Sequence, residues 1–274
     1  MELTEFQEED VQIHVRRKLI NRIVGLISTI VYLSTAVYGL AQCFNPEFSR
    51  SQAILILSQG LAAALIPLAF EVGEKLFKIK IHYALRIFII LYSMLAIVFG
   101  EALQFYYSYS WWDSFLHALS GIWITLTAGF IVLHTLKSYT GEHKFFLCIS
   151  ISIMVSLSAA FLWEIYEFTF DTLFGTNMQK FLPEADGLFN GGNTKDILDA
   201  ADETIAGFYR SPSGYRYALM DTMKDMVCCT LGTAAGSFCL FLIFRLDKVN
   251  LFSDIVMICP KNKRSKDLKE ENEA

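Results

Sequence analysis

The feature that most limits this chain is a succession of apolar runs, each about the length needed to cross a bilayer. They cover residues 19–44, 51–70, 81–105, 114–136, 145–170 and 226–244 of the 274. At 1.5 Å per residue, about 20 apolar residues span the hydrocarbon region. Lipid leaves no water for exposed peptide groups, so spans of this length satisfy their backbone as helices. The expected fold is therefore an all-α integral membrane protein, a bundle of about six transmembrane helices. Residues 1–18 form an N-terminal segment, 19–247 the membrane domain and 248–274 a polar tail. The first run is too long for a signal-peptide core and lacks a small-residue cleavage site, so it reads as a retained anchor. Pro67 is expected to kink the second.

Charge supplies the orientation. Lys75, Lys78 and Lys80 fill the turn after the second run, and Lys137 and Lys144 flank the turn after the fourth. Arg245, Lys248 and the basic tail follow the sixth. All share a side with Arg16, Arg17 and Lys18, whereas the opposite short loops carry only Arg50. The positive-inside rule then puts both termini in the cytoplasm of a multi-pass cell-membrane protein. It puts the loop 171–220 outside. The aromatic stretch 104–112 (QFYYSYSWW) is expected at the headgroup level.

A net charge of −5 with no basic face gives no support for nucleic acid as a partner, and leaves membrane lipids as the expected one. The six cysteines show no CxxC spacing. The topology would allow a bridge between Cys43 and Cys228. Asp196 to Phe208 reads as an acidic surface helix, since it lacks the ligand alternation and central glycine of an EF-hand.

Charged side chains within membrane segments are costly and need a partner, a watery cavity or a function. Asp113 and His117 open the fourth run, Glu164, Glu167 and Asp171 close the fifth, and Asp221 and Asp225 precede the sixth. Glu101 lies near the same end of the third. Spacings of i, i+4 and i, i+3, i+7 put each helix's members on one face. Taken singly, each acid could be a helix-end residue reaching water or favouring a dipole. As a set, so many acids at one depth would repel one another unless they share a site. Asp113, His117, Glu164, Glu167, Asp221 and Asp225 are the candidate metal ligands, and His117, Glu164, Asp221 and Asp225 the candidate catalytic groups. Their hard oxygen donors suit Mg²⁺, Mn²⁺ or Ca²⁺. Lys224 and Arg216 are the obvious nearby cations. Glu71, Glu74 and Arg86 read as interfacial ion pairing at the other end, where His82, His134 and His143 form no cluster.

Asp113-x-x-x-His117 with Gly121, Trp163-Glu164, and Asp221-Thr-Met-Lys-Asp225-Met226 followed by Gly232 resemble the VanZ-like membrane proteins, most closely their YjdF-type relatives. The resemblance runs from Trp112 to Gly236. It implies a multi-helix membrane protein whose polar residues form a shared site, in a family associated with teicoplanin resistance and the cell envelope. Ser114 stands where VanZ-like members often carry Lys.

Three functions fit these residues. One is a membrane-embedded enzyme acting on a lipid headgroup or lipid-linked envelope intermediate with a divalent metal. Another is a proton- or cation-coupled transporter, which ordinarily shows inverted repeats and a midplane site. The third is a non-catalytic lipid-binding or envelope protein. HExxH, the Glu-x-x-His of di-iron bundles and a nucleophile elbow are all absent from the sequence. Ser211 to Gly214 reads as a turn.

Overall fold

A computed structural model describes residues 2–46, 48, 50–76, 79–81, 83–136, 139, 141, 143–174, 177–180, 212–246 and 258–260. The described fold is helical: α1 (Glu2–Gln42), α2 (Arg50–Ala64), α3 (Ile66–Leu76), α4 (Tyr83–Ser93), α5 (Phe105–Ser108), α6 (Trp112–Thr135), α7 (Lys144–Phe174) and α8 (Pro212–Arg245). α4 continues as a π-helical segment, Met94–Ala102. One short antiparallel pair, β1 (Ile79–Ile81) and β2 (Ile258–Pro260), aligns Lys80 with Cys259. That pairing places part of the C-terminal region at the same end as the loop after α3.

Five helices are long and apolar enough to cross a membrane. α2 and α3, bent by 42° at their junction, form either a sixth, broken span or a re-entrant loop. The bend falls at Leu65. Pro67 sits in the first turn of α3, where its missing N–H removes no intrahelical bond.

The packing is inside-out relative to a water-soluble bundle. Leu26, Val37, Met154 and Leu231 are each more than 60% exposed, while Ser28, Thr125, Ser152 and Ser156 are completely buried. In lipid, apolar side chains gain nothing from avoiding the surroundings, so helices associate through close contact and interhelical hydrogen bonds. Both devices appear. A Cβ on Gly121 would stand 2.8 Å from Thr233 N, and one on Gly236 would stand 2.7 Å from the Ile122 carbonyl, so α6 and α8 touch backbone to backbone. Ser156 on α7 bonds Thr233 at 2.8 Å. Tyr32 on α1 donates to the Ile90 carbonyl of α4 at 2.8 Å. α6, α7 and α8 thus form one group, and α1, α2 and the π-helical segment pack as another against α6.

Two expected boundaries change. The last span begins at Ala218 rather than 226, within a helix that begins at Pro212. Hydropathy alone stops the span short of Asp225 and Asp221, yet both point inward while Leu219, Met220, Met223 and Val227 face out. Pro212 to Gly214 is accordingly the first turn of α8, not a free turn. α7 runs on to Phe174, which shortens the long loop from both ends. The acidic stretch 196–208 and the tail beyond 260 lie outside the described residues. Cys43 and Cys228 are free thiols. At the β1–β2 end, Arg86 pairs with Glu74 at 2.6 Å, as expected of interfacial ion pairing.

Candidate functional site

His117 lies on the face of α6 that meets α7 and α8, one turn above Gly121. Because α6 and α8 touch at Gly121, Gly232 and Gly236, side chains one or two turns above that contact are forced together. Asp113 precedes His117 by one turn on the same face, and its Oδ1 stands 3.6 Å from His117 Nε2. Asp225 Oδ2 of α8 approaches the same nitrogen at 3.9 Å. On the other edge of the ring, Glu164 Oε1 of α7 lies 3.8 Å from Nδ1. Glu167, one turn along α7, completes the ring of acids. His117, Glu164 and Glu167 offer ligand atoms within 4.8 Å of one another, and so do Asp113, His117 and Asp225.

All five side chains are buried. Some of their oxygens are held. Trp163 Nε1 donates to Glu167 Oε1 at 2.8 Å, and Ser114 Oγ lies 3.4 Å from Asp225 Oδ1. Others are not: among the described residues no hydrogen bond reaches Asp113 Oδ2, Glu164 Oε2, Glu167 Oε2 or Asp225 Oδ2. A buried carboxylate oxygen without a donor is expensive, so the cluster calls for protons, water or a cation.

Asp221, one turn beyond Asp225, is also buried but stands apart from both ligand groups. Its Oδ1 accepts from Lys224 at 3.2 Å. Asp171 departs from the stripe expected of it. Its carboxylate accepts the backbone N–H groups of Met178 at 2.6 Å and Gln179 at 3.0 Å, pinning the segment that follows α7. Arg216 is exposed.

That pinned segment brings in residues the sequence did not single out. Gln179 Nε2 donates to Thr222 of α8 at 2.8 Å. Lys180 is buried and pairs with Glu101 of the π-helical segment at 2.6 Å. Gln52 of α2 donates to the other Glu101 oxygen at 2.6 Å, and Tyr107 donates to Gln52 Oε1 at 3.2 Å. The ammonium also lies 4.7 Å from the centre of the Tyr106 ring. Burial alone would lower the Lys180 pKa, but Glu101 and Tyr107 outweigh it and hold the pKa above the ordinary lysine value. Burial likewise raises the Tyr107 hydroxyl to about 12. Tyr107 is almost wholly buried, so only part of the aromatic stretch faces outward, with Trp111 and Tyr109 among its exposed members. A strap from Asn177 to Lys180 thus crosses the end of the bundle nearest the cluster. The clue in sequence was a lone Gln and a lone Lys beside apolar runs.

Residues 26–247 match a family model described as "Predicted membrane protein (DUF2238)". No curated protein and no solved structure matches the chain.

Proposed function

Because the chain belongs to this family of predicted membrane proteins (DUF2238), and its three packed helices enclose one imidazole in carboxylates, we propose that the His117 cluster is a divalent-cation site at the extracytoplasmic face. It serves chemistry on a phosphate-bearing lipid headgroup or lipid-linked envelope intermediate. The observation that carries this reading is the convergence of Asp113, Asp225 and Glu164 on one ring at 3.6–3.9 Å, with buried oxygens left unbonded. These separations are too long for hydrogen bonds. Two ligand atoms about 2.4 Å from an ion, and about 90–110° apart around it, stand roughly 3.4–3.9 Å from each other. The two separations at Nε2, 3.6 and 3.9 Å, fall in that range and suit Ca²⁺, while Mg²⁺ would need a contraction of roughly half an ångström.

A cation held there would polarise a phosphoryl oxygen or generate a nucleophilic water. The protein's own groups would exclude bulk water and orient the imidazole. Lys224, partly exposed beside Asp221, and the exposed Arg216 on the same helix supply positive charge for an anionic headgroup. The resemblance to VanZ-like proteins supports the envelope setting, and the one-sided Lys/Arg distribution supports the outward orientation.

Elemental analysis of the purified protein tests the reading. A stoichiometric divalent ion in the wild type, absent from Asp225→Asn, is expected. Release of a phosphorylated headgroup from liposomes, abolished in the same variant, would extend it to catalysis. Wild-type protein free of metal after incubation with Mg²⁺, Mn²⁺ and Ca²⁺, together with proton-driven uptake in liposomes, would replace it with a transporter.

A further inference from the structure

The two nitrogens of His117 face different surroundings. Nε2 looks toward Asp113 on its own helix and Asp225 across the α6–α8 contact. Nδ1 looks toward Glu164, with Glu167 a turn further along α7. A neutral imidazole has one N–H and one lone pair, so it serves one side as donor and the other as ligand.

Three observations decide which side is which. Asp113 and His117 are a helical i, i+4 pair that presents two donor atoms together, and Asp225 comes from the helix held closest to α6. Asp225 Oδ2, the atom facing Nε2, is one of the unbonded oxygens, and Asp113 contributes another. On the Nδ1 side both acids come from one helix, and Glu167 is already held by Trp163. Each side carries two buried oxygens that no hydrogen bond reaches among the described residues, Asp113 Oδ2 and Asp225 Oδ2 against Glu164 Oε2 and Glu167 Oε2, but only at Nε2 is the oxygen that faces the ring, Asp225 Oδ2, itself one of them.

Resting on the cation site of the preceding section, we propose that His117 binds the ion through Nε2 together with Asp113 and Asp225, and that Glu164, 3.8 Å from Nδ1, closes into hydrogen-bond range of its N–H when the ion is bound. Glu164 is then a positioning residue and not a ligand. The carboxylate fixes the tautomer, sets the angle of the ring and makes Nε2 a stronger donor. Partners of this kind characteristically change metal affinity by about 10–100-fold when removed. Glu167, locked by Trp163, backs Glu164.

Mn²⁺ titration followed by electron paramagnetic resonance on detergent-solubilised full-length protein separates the roles. Wild type is expected to bind Mn²⁺ stoichiometrically. Asp113→Asn and Asp225→Asn should lose the bound ion. Glu164→Leu should keep it stoichiometrically but with Kd raised about 10–100-fold, and Glu164→Gln, which retains an acceptor for Nδ1–H, should fall between Glu164→Leu and wild type. Loss of all bound Mn²⁺ in Glu164→Gln would make Glu164 a ligand and overturn the assignment. An unchanged Kd in Glu164→Leu would overturn it equally. A wild type that binds no Mn²⁺ would instead remove the cation site itself.

A second measurement needs no variant. In wild-type protein carrying histidine labelled with ¹⁵N at Nδ1 only, pulsed resonance should show the directly bound nitrogen as ¹⁴N. A directly bound ¹⁵N would reverse the two sides of the ring.

Discussion

Removing the Lys180 ammonium while leaving Glu101 in place should destabilise the protein more than any other single change at the strap. Both side chains are at least 95% buried, and the pair is 2.6 Å apart. Breaking such a pair from one side strands a charge in a medium that solvates it poorly. The cost is about 3–5 kcal/mol. Lys180→Met keeps most of the side-chain volume, so little of the loss should come from packing. Adding Glu101→Gln removes the stranded charge, and Gln52 can still donate to the amide oxygen in its place. The double variant should therefore recover about 2 kcal/mol, a coupling in the range seen for residues in direct contact. Reversible unfolding in mixed micelles, for the wild type, both single variants and the double variant, gives the cycle. If the double variant is destabilised by the sum of the single losses, the ion pair is not what holds the strap. The sign of the pH effect is also set. A lysine whose folded pKa is raised contributes its full stabilisation below the unfolded value, near 10.4, and loses it only as pH climbs through the higher folded value. The gap between wild type and the double variant, which leaves no stranded carboxylate to titrate, should thus stay constant from pH 6 to 9.

Tyr32→Phe removes a buried donor to the Ile90 carbonyl together with the hydroxyl contact to Ser93, and should cost about 0.5–1.5 kcal/mol in the same assay. Trp163→Phe takes the donor from Glu167 and should weaken Mn²⁺ binding less than Glu164→Leu does, read by the same titration. Asp171→Ala leaves the Met178 and Gln179 N–H groups without their carboxylate. It should raise the rate of protease cleavage after Lys180, and an unchanged rate would mean that Asp171 does not pin the strap. Single cysteines placed at Asn193 and Lys263 should label from opposite sides of the membrane, and labelling from one side would overturn the assigned topology.

The apolar runs were legible because hydropathy reports directly on solvation, and the bend near Pro67 because proline cannot continue the hydrogen-bond ladder through its own nitrogen. Asp113 with His117, and Glu164 with Glu167, were legible as facing pairs because helical period is a local property. Asp221 and Asp225 were seen as site candidates but placed ahead of their span, since a hydropathy sum does not know which face a carboxylate takes. The Lys180–Glu101 pair was illegible for another reason. Its members are 79 residues apart, and nothing local to either names the other. The π-helical segment Met94–Ala102 carries no local signature in its apolar sequence, yet it presents Glu101 to the strap. Asp171 shared the periodicity of Glu164 and Glu167 but was diverted by two backbone donors that sequence spacing cannot reveal.

The glycine contact between α6 and α8 works as a spacer gauge for chemistry that happens elsewhere. Gly232, two turns below Asp225 and about 10 Å along the helix, sits where an added Cβ would collide with the Ala118 backbone. One methyl group there must push the helices apart, and the neighbouring Asp225 oxygen would retreat from His117 with them. Ligand distances tolerate only a few tenths of an ångström. A change from glycine to alanine, carrying no charge and touching none of the acids, would therefore detune the cluster as surely as altering one of its carboxylates.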